Sequence, residues 1–125
     1  ADIRYSTFAD NGAVSTFTCG VDATLEVRNS VLVQDDGVVS GNCFDAMFQN
    51  NASTQNLGGS NQQTPPLDLG WFVNAIAGDY HLSNYGSSPF KDVASWTADD
   101  PETDVDGDAI EQDGTSWAGY DQQPG

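Results

Sequence analysis

The sequence predicts an all-β protein made of short, stacked coils with little helix. Three observations support this prediction: a weak internal repeat with a period of 24 residues, an abundance of Gly, Asn, Asp, Ser and Thr, and a scarcity of Lys, Arg and Met. Gly, Asn and Asp favour turns, whereas Ser and Thr tolerate extended backbone. At 125 residues the chain is long enough for one domain with a modest core.

The first 48 residues contain two copies of the repeat. The aligned pairs are Ile3 with Val27, Arg4 with Arg28, Ser6 with Ser30, Phe8 with Leu32, Ala9 with Val33, Asn11 with Asp35, Val14 with Val38, and Cys19 with Cys43. Residues one period apart would stack on successive coils of a parallel β-helix, about 4.8 Å apart. We expect Ile3, Phe8, Val27 and Leu32 to point inward. The turns would be formed by Asn11, Gly12, Asp35, Asp36 and Gly37.

The two cysteines follow the same register, because Cys19 and Cys43 lie one period apart. Stacked neighbours fall within the Cα separation of about 4.4–6.8 Å that a disulfide requires. We therefore predict a Cys19–Cys43 disulfide, with two buried free thiols as the alternative. An oxidised pair would fit a secreted or cell-surface protein.

The charge balance limits the partners of this protein. Nineteen acidic residues face three Lys and Arg residues, for a formal net charge of −16. Such a chain repels polyanions, so we expect no nucleic acid and no anionic membrane as partner. No apolar stretch is long enough for direct membrane insertion. Divalent cations and neutral or cationic surfaces remain possible partners, and polysaccharide is one of them.

Three segments follow one another along the chain. Residues 1–48 hold the coils with the repeat, residues 49–66 are almost purely polar with Gly and Pro, and residues 67–125 restart the apolar pattern. The polar stretch predicts a long surface loop. The final segment would contain the last coil and a C-terminal capping segment.

Residues 67–125 contain short motifs in a characteristic order. They are LDLGWFVN (67–74), GDYHLS (78–83), SSPFKD (87–92), DVDGD (104–108) and WAGYDQ (117–122). Their order and spacing resemble the C-terminal segment of bacterial secreted right-handed parallel β-helix proteins with a pectate-lyase-like fold. Asp121 departs from that pattern, in which Glu is usual. The resemblance implies a right-handed parallel β-helix of about two to three coils with a C-terminal cap.

A cap would solve a physical problem of open β-helices. An uncovered end exposes unpaired backbone groups and the apolar core, and it would aggregate edge to edge. The residues available to plug the last coil are Trp71, Phe72, Tyr80, Leu82, Phe90, Trp96 and Trp117. No similar device is visible for the N-terminal face. We therefore expect upstream β-helix coils of the same protein, or a homo-oligomer, to cover that face.

The acidic run 99–113 is the best candidate for a functional site. Ca²⁺ needs six to eight oxygen ligands from closely spaced carboxylates on a turning backbone. The predicted calcium ligands are Glu102, Asp104, Asp106, Asp108 and Asp113. The alternative is a structural turn, whose carboxylates accept hydrogen bonds from backbone amides.

Other chemistry-bearing residues do not form a recognisable active site. Asp35 and Asp36 could act as a glycosidase acid–base pair, but we interpret them as turn residues because the Gly-His-Gly and Arg-x-Lys segments of polygalacturonases are absent. Arg4 and Arg28 could form a small basic spot, although exposed strand positions are the simpler interpretation. His81 is the only histidine and is expected to be a packing or edge residue.

These observations favour a non-catalytic function. The chain would be the C-terminal part of an extracellular or cell-surface β-helix protein, acting as scaffold or as a carbohydrate or adhesion surface. One alternative is the terminal fragment of a polysaccharide lyase or hydrolase whose active site lies upstream. Another is a calcium-dependent binding module.

Overall fold

The protein is all-β in the computed structural model, which describes residues 2–9, 16–21, 24–35, 37–41, 47–83 and 88–122. The strands are β1 (Asp2–Arg4), β2 (Thr7–Ala9), β3 (Phe17–Cys19), β4 (Glu26–Arg28), β5 (Val31–Val33), β6 (Val39–Gly41), β7 (Phe48–Gln49), β8 (Ala52–Ser53), β9 (Gln62–Gln63), β10 (Phe72–Asn74), β11 (Asp79–Leu82), β12 (Ala94–Ser95) and β13 (Thr115–Ser116). Short 3₁₀ helices occupy Leu69–Trp71 and Ala75–Ala77. In these ranges, no helix is long and apolar enough to cross a membrane.

The first nine strands pair in parallel and build three small sheets. The strand orders are β1-β4-β7, β2-β5-β8-β9 and β3-β6. From β1 to β8, consecutive strands belong to different sheets, so the chain moves from sheet to sheet and returns to the first at β4 and again at β7, whereas β9 pairs with β8 in the same sheet. We call each such passage a rung: β1 to β3 form the first rung, β4 to β6 the second, and β7 with β8 the third.

The 24-residue register is confirmed between the first two strands of the first and second rungs. Ile3 lies opposite Val27, and Phe8 lies opposite Leu32. The spacing is not constant, however. Cys19 lies opposite Gly41, two residues short of the predicted partner, because β3 and β6 pair with an offset of 22 residues. Cys19 is buried, whereas Cys43 lies outside the described residues, so their disulfide stays a prediction.

The predicted surface loop at 49–66 is wrong in part, because short strands interrupt it. It contains the end of β7 together with β8 and β9, and β8 continues the parallel sheet beside β5. Asn51, Ala52 and Ser53 are fully buried. Asn51 and Ser53 can be buried although they are polar, because their side chains form hydrogen bonds in the interior.

An inner apolar cluster lies between the sheets. Val27 and Leu32 are fully buried in it, and Ile3 and Phe8 pack against them, which confirms the predicted inward positions. Phe8 meets Phe17 edge to face at 5.2 Å between ring centroids. Successive rungs therefore bury similar side chains on top of one another.

A second apolar cluster covers the outer face of the sheet β2-β5-β8-β9. Val31 and Val33 alternate with Leu32 along β5 and so face the opposite way, where Phe72 and Phe90 pack against them. We call the described part of residues 67–122 the closing segment, and the sequence predicts that it plugs an end of the coils. It instead lies against the side of this sheet, because every second residue of a strand faces outward and is apolar here.

The closing segment approaches the sheet closely at Gly119. The amide of Gly119 donates to the carbonyl of Asn29 at 2.9 Å. A Cβ atom at this glycine would lie 2.6 Å from Oγ1 of Thr7 and 2.8 Å from Cγ2 of Val31. The contact therefore requires a residue without a side chain.

Side chains at one corner of the rungs form a continuous ladder, which we call the corner ladder. The amide of Ser6 donates to Oγ of Ser30 at 3.2 Å, that of Ser30 to Oδ1 of Asn51 at 2.9 Å, and that of Asn51 to Oδ1 of Asn61 at 3.1 Å. The residues just before the corner have positive φ: Tyr5 at 46°, Asn29 at 59° and Asn50 at 56°. A sharp corner is thus repeated in each rung and is linked to the next one.

Candidate metal centre

The DVDGD motif folds as a tight turn around the carboxylate of Asp104. Its Oδ1 accepts the amides of Asp106 and Asp108, both at 2.9 Å. The amide of Gly107 donates to the carbonyl of Asp104 at 3.1 Å, and Gly107 has a φ of +87°. Positive φ is easy for glycine, so the motif can reverse direction within five residues. These bonds are those expected of the structural-turn interpretation.

The turn is hydrogen-bonded to the chain next to Asp121. Oδ2 of Asp104 accepts the amide of Gln122 at 2.6 Å. Asp121 itself is buried, and its Oδ2 accepts the amide of Leu82 at 2.8 Å. Three distant stretches of sequence therefore converge on two carboxylates.

Four carboxylates come together at this junction. One oxygen each of Asp104, Asp106, Asp108 and Asp121 lies within 4.8 Å of the others. Such a group could hold a metal ion. Hard cations accept carboxylate oxygens in flexible geometry and complete their coordination with water or carbonyl groups.

The structure brings together three of the five predicted ligands. Glu102 and Asp113 are both exposed and lie outside the cluster. The amide of Asp113 donates to Oε1 of Glu111 instead. Asp121 takes part although the acidic run did not include it. The only sequence signal for it was its place in the closing motif, at a position where the resembled proteins carry Glu.

His81 lies at the edge of the cluster as an ion-pairing residue rather than a simple packing residue. Its Nδ1 lies 2.7 Å from Oδ1 of Asp79, and its Nε2 lies 3.0 Å from Oδ1 of Asp106. These hydrogen bonds, the one to Asp79 foremost, raise the pKa of His81 to about 9. The imidazole is therefore protonated at neutral pH and offsets part of the acidic charge.

Of the two strand arginines, Arg4 is held in ion pairs, whereas the buried Nε of Arg28 has no hydrogen-bond partner among the described residues. Arg4 and Arg28 lie opposite each other on β1 and β4. Nη1 of Arg4 lies 3.0 Å from Oδ1 of Asp100, whose side chain is fully buried, and Nη2 lies 2.9 Å from Asp2. Arg4 is therefore a structural ion-pair residue.

The candidate acid–base pair cannot be assembled from the described residues. Asp35 lies at a bend and lines a groove of about 380 Å³ together with Gln34 and Thr54. Asp36 lies outside the described residues. The groove carries polar amide and hydroxyl groups, and Asp35 is the only acidic residue among those that line it in the described part of the chain.

Comparison with known proteins gives no family for this chain. No family model, no curated protein and no solved structure matches it.

Proposed function

We propose that this chain is a non-catalytic module of an extracellular or cell-surface parallel β-helix protein, serving as scaffold or as a carbohydrate-contacting surface. The observation that carries the proposal is the parallel pairing of successive rungs in three sheets. Stacked rungs of this kind are the structural unit of a β-solenoid. The corner ladder adds hydrogen bonds between equivalent positions of successive rungs.

Two candidate catalytic side chains in the described part of the chain are held in ion pairs, which supports a non-catalytic function. Arg4 bonds Asp2 and Asp100, and His81 bonds Asp79 and Asp106. Because both ring nitrogens of His81 are bonded to carboxylates, neither is available to take a proton from a substrate. Upstream coils of a longer protein would be the place for a polysaccharide-cleaving site under the alternative interpretation.

Turnover is the direct test of this proposal. We expect no release of reducing ends and no unsaturated uronide when the chain is incubated with polyuronates and with neutral polysaccharides. Retardation in affinity gels that contain neutral polysaccharide would support a carbohydrate-contacting surface. Cleavage of any of these polymers by the purified chain would overturn the non-catalytic assignment.

We further propose that the cluster of Asp104, Asp106, Asp108 and Asp121 binds Ca²⁺. Four carboxylates within 4.8 Å repel one another, and His81 supplies one compensating charge. A divalent cation would remove the remaining repulsion and would link the turn at 104–108 to Asp121. Its role would then be to stabilise the fold rather than to take part in chemistry.

The calcium proposal is tested by thermal unfolding. Ca²⁺ should raise the melting temperature by about 5 °C relative to chelator, because it binds the folded state. Asp108→Asn should abolish this shift, whereas Asp113→Asn should retain it because Asp113 lies outside the cluster. Identical melting with Ca²⁺ and with chelator, together with no heat of binding, would leave the motif a structural turn.

A further inference from the structure

The upstream edge of the first rung has the features of a docking surface. In the described part of the chain, β1, β2 and β3 are the edge strands of their sheets. Ile3 and Phe8 of the inner cluster line an open hollow of about 640 Å³ at this edge, together with Asp2 and Arg4. An edge of this kind exposes both backbone hydrogen-bonding groups and apolar surface.

In the corner ladder, each side chain accepts a hydrogen bond from a backbone amide of the preceding step. In every step the downstream side chain, whether Ser30, Asn51 or Asn61, accepts the amide of the preceding corner residue. Oγ of Ser30 does this while donating to the carbonyl of Arg28 at 2.9 Å. A hydroxyl that donates its hydrogen retains lone pairs for an incoming amide.

Ser6 has the same arrangement as Ser30, but at the start of the ladder. Its Oγ donates to the carbonyl of Arg4 at 3.0 Å, just as Ser30 donates to Arg28. The acceptor side of Ser6 therefore faces the position of a preceding corner amide. The other end of the ladder is closed, since the amide of Asn61 donates to the carbonyl of Gly58 within its own turn.

The backbone of β2 continues the same pattern. The amide of Val31 donates upstream to the carbonyl of Ser6 at 2.9 Å. Thr7 is the residue opposite Val31 in the parallel pair β2–β5. Alternate residues of a parallel strand bond to opposite neighbours, so the amide of Thr7 points upstream, away from β5.

We propose that the upstream edge binds one further rung, namely an extended polypeptide segment lying parallel to β1 and β2 across a sharp corner. Its apolar residues would cover Ile3 and Phe8, and its corner amide would donate to Oγ of Ser6. This docking would be strand addition that continues the rung-to-rung interface already present in the fold. It rests on the proposed function, because it assumes that the rungs stack as in a β-helix.

The test uses amide hydrogen exchange on the ¹⁵N-labelled full chain. The probe is a synthetic peptide with the sequence of residues 24–35 (TLEVRNSVLVQD), which forms most of the second rung in the protein. We expect saturating peptide to slow exchange of the Thr7 amide by about tenfold and to leave the protected Val31 amide unchanged. The control peptide carries a methyl group on the backbone nitrogen equivalent to Ser30 and should have no effect, because it lacks the corner donor.

Two protein variants test whether Oγ of Ser6 is the acceptor. Ser6→Ala should weaken peptide binding by about fivefold, because it removes one hydrogen bond. Ser6→Asn should retain binding, because Asn51 and Asn61 perform this role in the ladder. Unchanged Thr7 exchange with the peptide, or equal slowing by the methylated peptide, would overturn the docking proposal alone. Rapid exchange of Val31 without peptide would instead refute the stacked rungs, and both proposals would fall together.

Discussion

Arg4 and Asp100 form an ion pair between residues 96 positions apart in the sequence, with Nη1 lying 3.0 Å from Oδ1. The Asp100 side chain is fully buried, and its Oδ2 also accepts Nδ2 of Asn29 at 3.2 Å and the amide of Thr97 at 2.8 Å. The pair therefore joins the first strand to the loop that follows β12.

Replacing Arg4 tests the contribution of this ion pair. Arg4→Met should lower the free energy of unfolding by about 2 kcal/mol, because it leaves a buried carboxylate without its cation. Urea denaturation measures the change. Lys91→Met is the matched control, since Lys91 is exposed, and it should change stability by less than about 0.5 kcal/mol. Equal effects of the two substitutions would contradict a structural role for the pair.

Asn51 is the central residue of the corner ladder. Its Oδ1 accepts the amide of Ser30, and its Nδ2 donates to the carbonyl of Val27 at 2.9 Å and to Oδ1 of Asn61 at 2.9 Å. Asn51→Ala should cost about 2–3 kcal/mol in urea denaturation, because buried backbone groups lose their partners. Gln63→Ala, at an exposed strand position, should be nearly neutral. A nearly neutral Asn51→Ala would show that the ladder does not stabilise the rungs.

Gly119 and Gly114 form a matched pair for testing the closing segment. Both have φ near +90°, but only at Gly119 would a Cβ atom meet neighbouring atoms within 3 Å. Gly114→Ala should therefore report only the backbone strain, about 1 kcal/mol, whereas Gly119→Ala should cost about 3 kcal/mol. Thermal or urea unfolding of both variants separates the cost of backbone strain from the cost of the steric clash at Gly119. Equal losses would mean that the closing segment does not press against Thr7 and Val31.

His81 should make the stability of the protein depend on pH. Its folded-state pKa is raised from 6.5 to about 9, so its stabilising contribution is fully present below pH 6.5 and is lost as the pH rises through about 9. The side chain is 38% exposed, and solvent screening limits the contribution to about 1 kcal/mol. Urea denaturation between those pH values, in chelator, should show the decline, and His81→Asn should flatten it.

The titration of His81 can also be followed directly. It is the only histidine of the chain, so its imidazole carbon-bound proton gives a single NMR resonance. Asp79→Asn should move the midpoint downward, since Asp79 provides the largest hydrogen-bond contribution to the raised pKa. A midpoint at the ordinary value in the unsubstituted protein would contradict the ion-paired geometry.

The sequence predicts the parts of the fold in which like residues repeat at a fixed distance. Ile3 over Val27 and Phe8 over Leu32 follow directly from this repetition. The strands at 52–53 and 62–63 were missed, because they are two residues long and their neighbours are polar. Buried Asn51 can only be recognised once its hydrogen-bond partners are known, and these lie on other rungs.

The position of the closing segment and the composition of the acidic cluster could not be read from spacing alone. Val31, Leu32 and Val33 form a continuous apolar run, which does not say which part of the chain covers the side chains that face away from Leu32. In the same way, Asp121 joins Asp104 only through tertiary contacts, such as the bond from Gln122 to Asp104. The acidic run supplied the local ligands and missed the distant one.

The lateral position of the closing segment has a consequence for biosynthesis. Tyr5 and Ser116 share a hydrogen bond of 2.7 Å across 111 residues, and Phe90 packs over the same face as Val31. During translation the early strands emerge long before the residues that shield their outward side. A ribosome-bound intermediate would therefore expose the apolar outer face of the sheet until residues near 120 leave the exit tunnel. Binding of chaperones to the nascent chain should be strongest in that interval.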